Sequence, residues 1–148
     1  MAGTIVTIKL KWLDESAFLE EGSEERVKLF LESIGISSDV ASDLLQVMLL
    51  ARAKELSLKT GQIRKGILEL RKRRGDKDSE KGLTDRNIQV WLKYYETIGL
   101  FERYRGKHRF RSAKSPHDAF KRCKQMTSES LKVSERLLEL VQESYGIK

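Results

Sequence analysis

The sequence predicts a mainly α protein of the α+β class, built from several helices and one short β-hairpin. Apolar residues recur at intervals of three and four in five successive segments between residues 23 and 145, as they do on the buried faces of helices. Two short runs rich in aromatic residues flank Gly106, where a tight hairpin turn is favoured. A chain of 148 residues with 39% hydrophobic content is long and apolar enough for one compact core.

Residues 1–37 predict an acidic N-terminal extension made of a strand and a helix. Residues 4–12 (TIVTIKLKW) alternate between apolar and polar side chains, which is typical of a half-buried strand. Residues 14–21 favour a short helix. From Ser23, a candidate N-cap, apolar residues at helical spacing predict a second helix that ends at Gly35.

Residues 38–113 predict three helices followed at once by a hairpin. The first of these helices is so densely apolar that it must be largely buried. The charged segment between the second and third helices, residues 75–82, predicts an exposed and mobile loop. The three helices are predicted over residues 39–58, 60–74 and 84–98, with caps at Ser38 or Asp39, Thr60 and Thr84, and with Gly99 closing the third.

The predicted hairpin, residues 100–112, has its turn at Gly106 and Lys107. Glycine at the first central position suits a type II′ turn, which matches the twist of the flanking strands. The register that follows pairs Arg105 with His108, Tyr104 with Arg109 and Arg103 with Phe110.

Residues 114–148 predict a C-terminal helical segment that begins with Ser115 as N-cap and Pro116 at the first helical position. Side chains spaced by three and four form one seam along it: Phe120, Cys123, Thr127, Leu131, Ser134, Leu138, Val141 and Tyr145. Because this seam is longer than one small domain needs, it predicts a homodimer, the alternative being that the helix packs on its own domain. The predicted dimer contacts are Phe120, Leu131, Leu138, Val141 and Tyr145.

Basic charge is concentrated in the middle of the chain. Residues 1–50 carry 4 basic and 9 acidic side chains, residues 51–114 carry 19 and 8, and residues 115–148 carry 6 and 5, for a total of +7. A polyanion that binds the central part would gain free energy by releasing counterions. The alternative interpretation is a basic face that is merely solvated.

Three helices followed directly by a basic hairpin are the order of elements in a winged helix-turn-helix domain. The segment LTDRNIQVWLKYYETIGLFERYRGKHRFR, residues 83–111, resembles the recognition helix, closing glycine and wing of that family. The resemblance extends over residues 39–112, about half of the chain, and departs from the family in the long charged loop at residues 75–82. It implies that the third helix enters the major groove of DNA and that the hairpin acts as the wing.

The outer face of the third helix carries side chains that can read bases. Placing Ile88 inward sends Arg86, Val90, Lys93 and Thr97 to the opposite side, and no acidic residue lies among them. Arginine can pair with guanine, and asparagine or glutamine with adenine. The predicted base-reading residues are Arg86, Asn87, Gln89, Val90 and Lys93, the alternative being a polar face that only contacts solvent.

The hairpin is rich in cations, and Glu102 is the only nearby acid. Repulsion among these cations cannot stabilise an isolated hairpin, so we expect that they bind an external anion. Predicted backbone-binding residues of the hairpin are Arg103, Arg105, Lys107, His108, Arg109 and Arg111. The second helix is expected to add Arg64, Lys65 and Arg71, although its basic run at residues 71–74 also fits a solvated helix end.

No motif of an enzyme occurs, and neither His108 nor His117 has metal-ligand spacing with a partner. We therefore expect a protein without catalytic activity, cofactor or metal. Cys123, the single cysteine, excludes an internal disulfide and predicts a buried thiol.

The sequence has neither a run of 18 apolar residues nor the pattern of a signal peptide, which predicts a cytoplasmic protein without a membrane partner. Abundant Lys, Arg and Glu beside a single asparagine are typical of proteins from thermophiles.

Together these patterns predict sequence-selective binding of double-stranded DNA by a transcriptional regulator. Two alternatives remain. The first is a winged-helix module that docks on a transcription, replication or RNA-processing complex through Trp91, Tyr94 and Tyr104. The second is single-stranded RNA, whose bases would stack on Tyr104 and Phe110.

Overall fold

The computed structural model describes residues 3–148 as a mainly helical protein with one small two-stranded antiparallel sheet, which confirms the predicted fold class at that level. A 3₁₀ helix at Glu15–Leu19 comes first, and another at Arg111–Ala113 follows the sheet. The helices are α1 Ser23–Ser33, α2 Asp39–Ala53, α3 Thr60–Arg74, α4 Asp85–Thr97 and α5 Pro116–Ser144, and the strands are β1 Phe101–Tyr104 and β2 Lys107–Phe110.

Helix starts follow the caps that the sequence predicts. The side chains of Ser38, Thr84 and Ser115 each accept a hydrogen bond from the backbone N–H three residues later. Helices α1 and α3 are the exceptions: their N-caps are Gly22 and Lys59, so the predicted caps Ser23 and Thr60 are already helical. After α4, Gly99 adopts a left-handed conformation with φ +82°, which a residue without Cβ adopts at low cost.

The predicted N-terminal strand is wrong. Residues 4–12 form no ladder, and a single backbone bond, from the Lys11 N–H to the Ser33 carbonyl at 2.9 Å, attaches them to α1. Val6 and Ile8 pack on the core, but Trp12 is fully exposed. The alternating pattern marks an extended segment, and no neighbouring strand is present there to complete a sheet.

The core surrounds α2, which is buried on most sides, as its apolar composition predicts. Leu44 and Met48 of α2 are in the same cluster as Leu31 of α1 and Ile88 of α4. The Tyr95 hydroxyl donates a 2.7 Å hydrogen bond to the Ala41 carbonyl, which fixes α4 against α2. Ile63 and Ile67 of α3 belong to this cluster too, so all four α-helices that precede the hairpin contribute to one core.

Helices α2 and α3 approach each other closely at Gly66. A Cβ atom built on Gly66 would lie 2.8 Å from Cγ1 of Val47, which is buried. Gly61 lies in the same helix, and a Cβ there would meet nothing within 4 Å. The two glycines therefore differ in packing space.

We expect Gly66→Ala to lower the free energy of unfolding by about 1 to 2 kcal/mol, because overpacking against Val47 outweighs the better helix propensity of alanine. Gly61→Ala, the matched control, should raise it by about 0.5 kcal/mol. Urea denaturation of both variants measures the two changes. Equal stabilisation of both would contradict a close contact at Gly66.

The hairpin register differs from the prediction by one residue at the turn. The turn residues are Arg105 and Gly106, both with positive φ, and the strand pairs are Phe101–Phe110, Glu102–Arg109, Arg103–His108 and Tyr104–Lys107. Positive φ at both central residues is the type I′ geometry. This register buries Phe101 and Phe110 together, with ring centroids 5.0 Å apart, whereas the predicted register would separate them.

Arg71 connects α3 to α2 and to the charged loop at residues 75–82. Its Nε donates a 2.8 Å hydrogen bond to Asp43, and its Nη1 donates to the carbonyls of Ser79 at 3.2 Å and Lys81 at 2.6 Å. Arg74 also binds Asp43, at 2.8 and 3.1 Å. The loop is mostly exposed, as predicted, but its backbone is bonded to a buried guanidinium.

Helix α5 begins on the body of the protein and then leaves it. Ala119 and Cys123 are buried, and Phe120 packs edge-on against Phe30 of α1 at 5.5 Å. Every residue from 128 to 148 is exposed. No helix within residues 3–148 combines the length and apolarity needed to cross a membrane.

Candidate nucleic-acid interface

Helix α4 has a buried face and a solvent face. Ile88, Leu92 and Tyr95 are buried. Arg86 and Lys93 are exposed on the opposite side, with Val90 between them at 53% exposure. The solvent face therefore presents two cations around one apolar side chain.

Asn87 and Gln89, the two amides expected to read bases, are exposed and lie on different flanks of α4. The Asn87 side chain donates a 2.9 Å hydrogen bond to the Gly82 carbonyl, so it holds the preceding loop. Gln89 points toward α3, with its Nε2 3.4 Å from the Thr60 hydroxyl. Gln89 is thus directed into the angle between α3 and α4.

The cations of the hairpin are divided between its two faces. Arg103 shares a face with His108, which contacts α4, so Arg103 lies on the side of the hairpin that α4 occupies. Lys107 and Arg109 lie on the other face, and Arg105 occupies the turn. The cations therefore surround the tip of the hairpin instead of forming one row.

Arg109 is engaged inside the hairpin. Its Nε donates a 2.7 Å hydrogen bond to Glu102, and its guanidinium carbon lies 3.9 Å from the centre of the Tyr104 ring. Arg105 lies 5.1 Å from the same ring. Cation–π contact and the ion pair fix Arg109 and cover part of Tyr104. The predicted register pairs Tyr104 directly with Arg109, whereas in the structure the two side chains are diagonal neighbours and Arg109 lies opposite Glu102.

His108 is not part of the exposed surface, which corrects its predicted role. Its side chain is 1% exposed, with Nε2 3.2 Å from the Thr60 hydroxyl and Nδ1 3.6 Å from Glu96. Its backbone forms an isolated bridge with Leu58, through bonds of 2.7 and 3.0 Å. His108 lies on the face of β2 that packs on the helices. Its side chain therefore joins the hairpin to the helices instead of contacting a ligand.

Burial is the main cause that lowers the pKa of His108, and the positive charge of Arg103 lowers it further, although Glu96 opposes the shift. The unfolded chain therefore binds a proton more readily than the folded one. The contribution of neutral His108 to the free energy of unfolding is complete above the ordinary histidine pKa of about 6.5. It is lost as the pH falls through the lower pKa of the folded state.

We expect the melting temperature to fall between pH 7.5 and pH 5.5, and His108→Asn to reduce that fall. His117→Asn provides the control, because the His117 side chain is 90% exposed. Calorimetric scans at both pH values measure the effect. The same pH dependence in the His108 variant as in the parent would contradict this assignment.

The second helix contributes less than the sequence suggests. Arg71 is 4% exposed and ion-paired with Asp43, so its predicted phosphate contact is wrong. Arg64 is half-buried and donates to the Leu83 carbonyl at 3.3 Å, which supports the segment before α4. Lys65 is exposed. The sequence could not reveal the inward turn of Arg71, because its carboxylate partner lies 28 residues earlier.

Exposed cations without an ion-pair partner lie on both α4 and the hairpin. Among residues 3–148, no acidic side chain lies within ion-pair distance of Arg86, Lys93, Arg103, Arg105, Lys107 or Arg111. The same residues contain no cluster of three histidine, cysteine or acidic side chains that could hold a metal. The surface is therefore suited to an anionic partner.

Comparison of the chain with protein-family models, with curated proteins and with solved structures found no match. The function is therefore inferred from the charge and geometry of this surface.

Proposed function

We propose that this protein is a transcriptional regulator that binds double-stranded DNA with sequence selectivity, through a winged helix-turn-helix unit over residues 38–113. Helix α4 enters the major groove, and the hairpin acts as a wing on the phosphate backbone. The observation that carries the proposal is the set of exposed, unpaired cations on these two adjacent elements: Arg86, Lys93, Arg103, Arg105 and Lys107.

The shape of α4 supports insertion into the groove. An α-helix with side chains is about 10–12 Å across, and the major groove is about 12 Å wide. Arg86 is in the first turn of α4, the end from which such helices contact base edges. Val90 is suited to contact with a thymine methyl group. Gln89 would extend the contacts toward α3.

The hairpin supports backbone binding more than base reading. Arg105 and Lys107 are at its exposed tip, and Arg103 lies on the side toward α4. Cations at such a tip repel one another unless an anion lies between them. A phosphate backbone, with about one charge per 1.7 Å of duplex, supplies a regular row of such anions.

The structural surroundings of the aromatic residues favour DNA over the two alternatives. Trp91 and Tyr94 are half-buried, with ring centroids 5.8 Å apart, and Arg109 stacks on Tyr104 and covers part of its ring, so little free aromatic surface remains for a docking module to use. Phe110 is buried against Phe101 and offers no face to a base of single-stranded RNA.

The experiment that tests the proposal is selection of binding sites from a random pool of duplexes, followed by sequencing. We expect the parent protein to enrich a defined site, and Arg86→Ala and Gln89→Ala to relax the preference at separate positions. The matched control is Lys72→Ala with Arg73→Ala, on the exposed end of α3, which should leave the site unchanged. Enrichment of no site by the parent protein, or the same site from all variants, would overturn the assignment.

A further inference from the structure

We propose that the projecting half of α5, from residue 128 onward, is covered by α5 of a second copy of this chain. The two helices are antiparallel and cross near residue 132. This inference concerns a surface separate from the DNA-binding face and does not rest on the proposed function.

The projecting half of α5 has a sharply divided surface. At 3.6 residues per turn, the charged residues from 132 to 143 fall within about 120° of the helix circumference. On the rest of the circumference, an arc of about 200° carries only serine and apolar side chains before Lys148, and Gln142 lies at its edge. Its exposed apolar residues are Leu131, Val133, Leu137, Leu138, Leu140, Val141, Tyr145 and Ile147.

The apolar arc continues an interface that already exists. In the first half of α5, the same arc carries Ala119 and Cys123, which are buried on the body of the protein. The second half extends about 25 Å further without a partner. A solvated helix has no need of an apolar arc, so its continuation beyond the body indicates a surface that another chain covers.

The size of the arc fits a dimer. Its eight apolar side chains are between 41% and 79% exposed, and their exposed area is roughly the 800 Å² per partner that a standard interface buries. An arc of about 200° is wider than the narrow seam of a two-stranded coiled coil. The second copy must therefore cover the arc with another surface in addition to one face of its own α5.

Charge selects the antiparallel orientation. Residues 116–128 of α5 carry three basic and one acidic side chain, and residues 129–144 carry two basic and four acidic ones. An antiparallel pair places the +2 half of each helix beside the −2 half of the other, whereas a parallel pair places like charges together.

The spacing of the seam selects the crossing point. With the crossing near residue 132, Leu131 lies opposite Ser134 of the second copy, and Thr127 opposite its Leu138. Tyr145 then reaches Phe120, beside an apolar groove of about 400 Å³ that Val27 of α1 also lines. This groove, next to the packed half of α5, provides the second surface that the wide arc needs.

The first test is the oligomeric state of the full chain by sedimentation equilibrium without DNA. We expect a dimer at micromolar concentration, and a monomer when Leu131→Asp is combined with Leu138→Asp. Lys132→Glu, on the charged face, changes the net charge by the same −2 and should leave the dimer intact. Because every residue from 128 to 148 is exposed in the monomer, circular dichroism should show all variants folded. A monomeric parent protein would overturn the proposal.

The second test is the orientation of the pair. Ser134→Cys places a thiol near the crossing point and Ser144→Cys places one near the end of the helix, while Cys123 is buried and out of reach. Oxidation should link two copies through residue 134 and not through residue 144. Links of equal yield at both positions would indicate a parallel pair and contradict the antiparallel arrangement.

Discussion

Asp43→Asn is expected to lower the free energy of unfolding by about 3 to 5 kcal/mol, because it leaves two guanidinium groups without their buried counter-charge. The Asp43 side chain is 3% exposed and accepts hydrogen bonds from Arg71 and Arg74. Arg71 in turn bonds the carbonyls of Ser79 and Lys81 in the charged loop. The substitution is therefore expected to destabilise the charged loop that leads into α4 as well.

Asp76→Asn is the matched control, because Asp76 binds the same Arg74 at 2.9 Å from a more exposed position. Surface ion pairs contribute about 0 to 1 kcal/mol, so we expect a small loss. Urea denaturation of both variants compares them directly. Similar losses for the two substitutions would show that burial does not make the Asp43 network essential.

The second large effect is expected on DNA binding. Combined replacement of Arg103, Arg105 and Lys107 by alanine should weaken binding to every duplex by roughly a hundredfold to a thousandfold, since each charged contact contributes about 1.5 to 3 kcal/mol and not all act independently. All three residues are exposed, so the melting temperature should not change. Fluorescence anisotropy with several unrelated duplexes measures the loss.

A control triple variant keeps the change in net charge and moves it elsewhere. Lys72, Arg73 and Lys77 are exposed near the end of α3 and in the charged loop. Their replacement by alanine should weaken binding far less. If both triple variants lost the same affinity, the effect would come from net charge, and the hairpin would have no specific role.

Local chemistry made the helices predictable. Each of α2, α4 and α5 begins at a polar cap, and α4 closes at a glycine with positive φ, so sequence spacing was sufficient to locate them. The outer face of α4 followed directly from helical periodicity. These features depend on residues within one or two turns of each other.

Features that depend on distant contacts were not predictable. A strand needs a partner, and the alternation in residues 4–12 does not reveal that none is present. The hairpin register was decided by burial of Phe101 against Phe110, with positive φ at Arg105. Arg71 and His108 were assigned to the surface by their charge, yet Asp43 and Thr60 hold them inside.

The most direct test of the central claim, that the exposed cations of α4 and the hairpin bind a phosphate backbone, is the salt dependence of duplex binding. Five cations carry the claim: Arg86, Lys93, Arg103, Arg105 and Lys107. If each neutralises one phosphate, a plot of log affinity against log salt concentration should have a slope of about −4 to −5. A slope near zero, or no binding to any duplex at low salt, would contradict the claim.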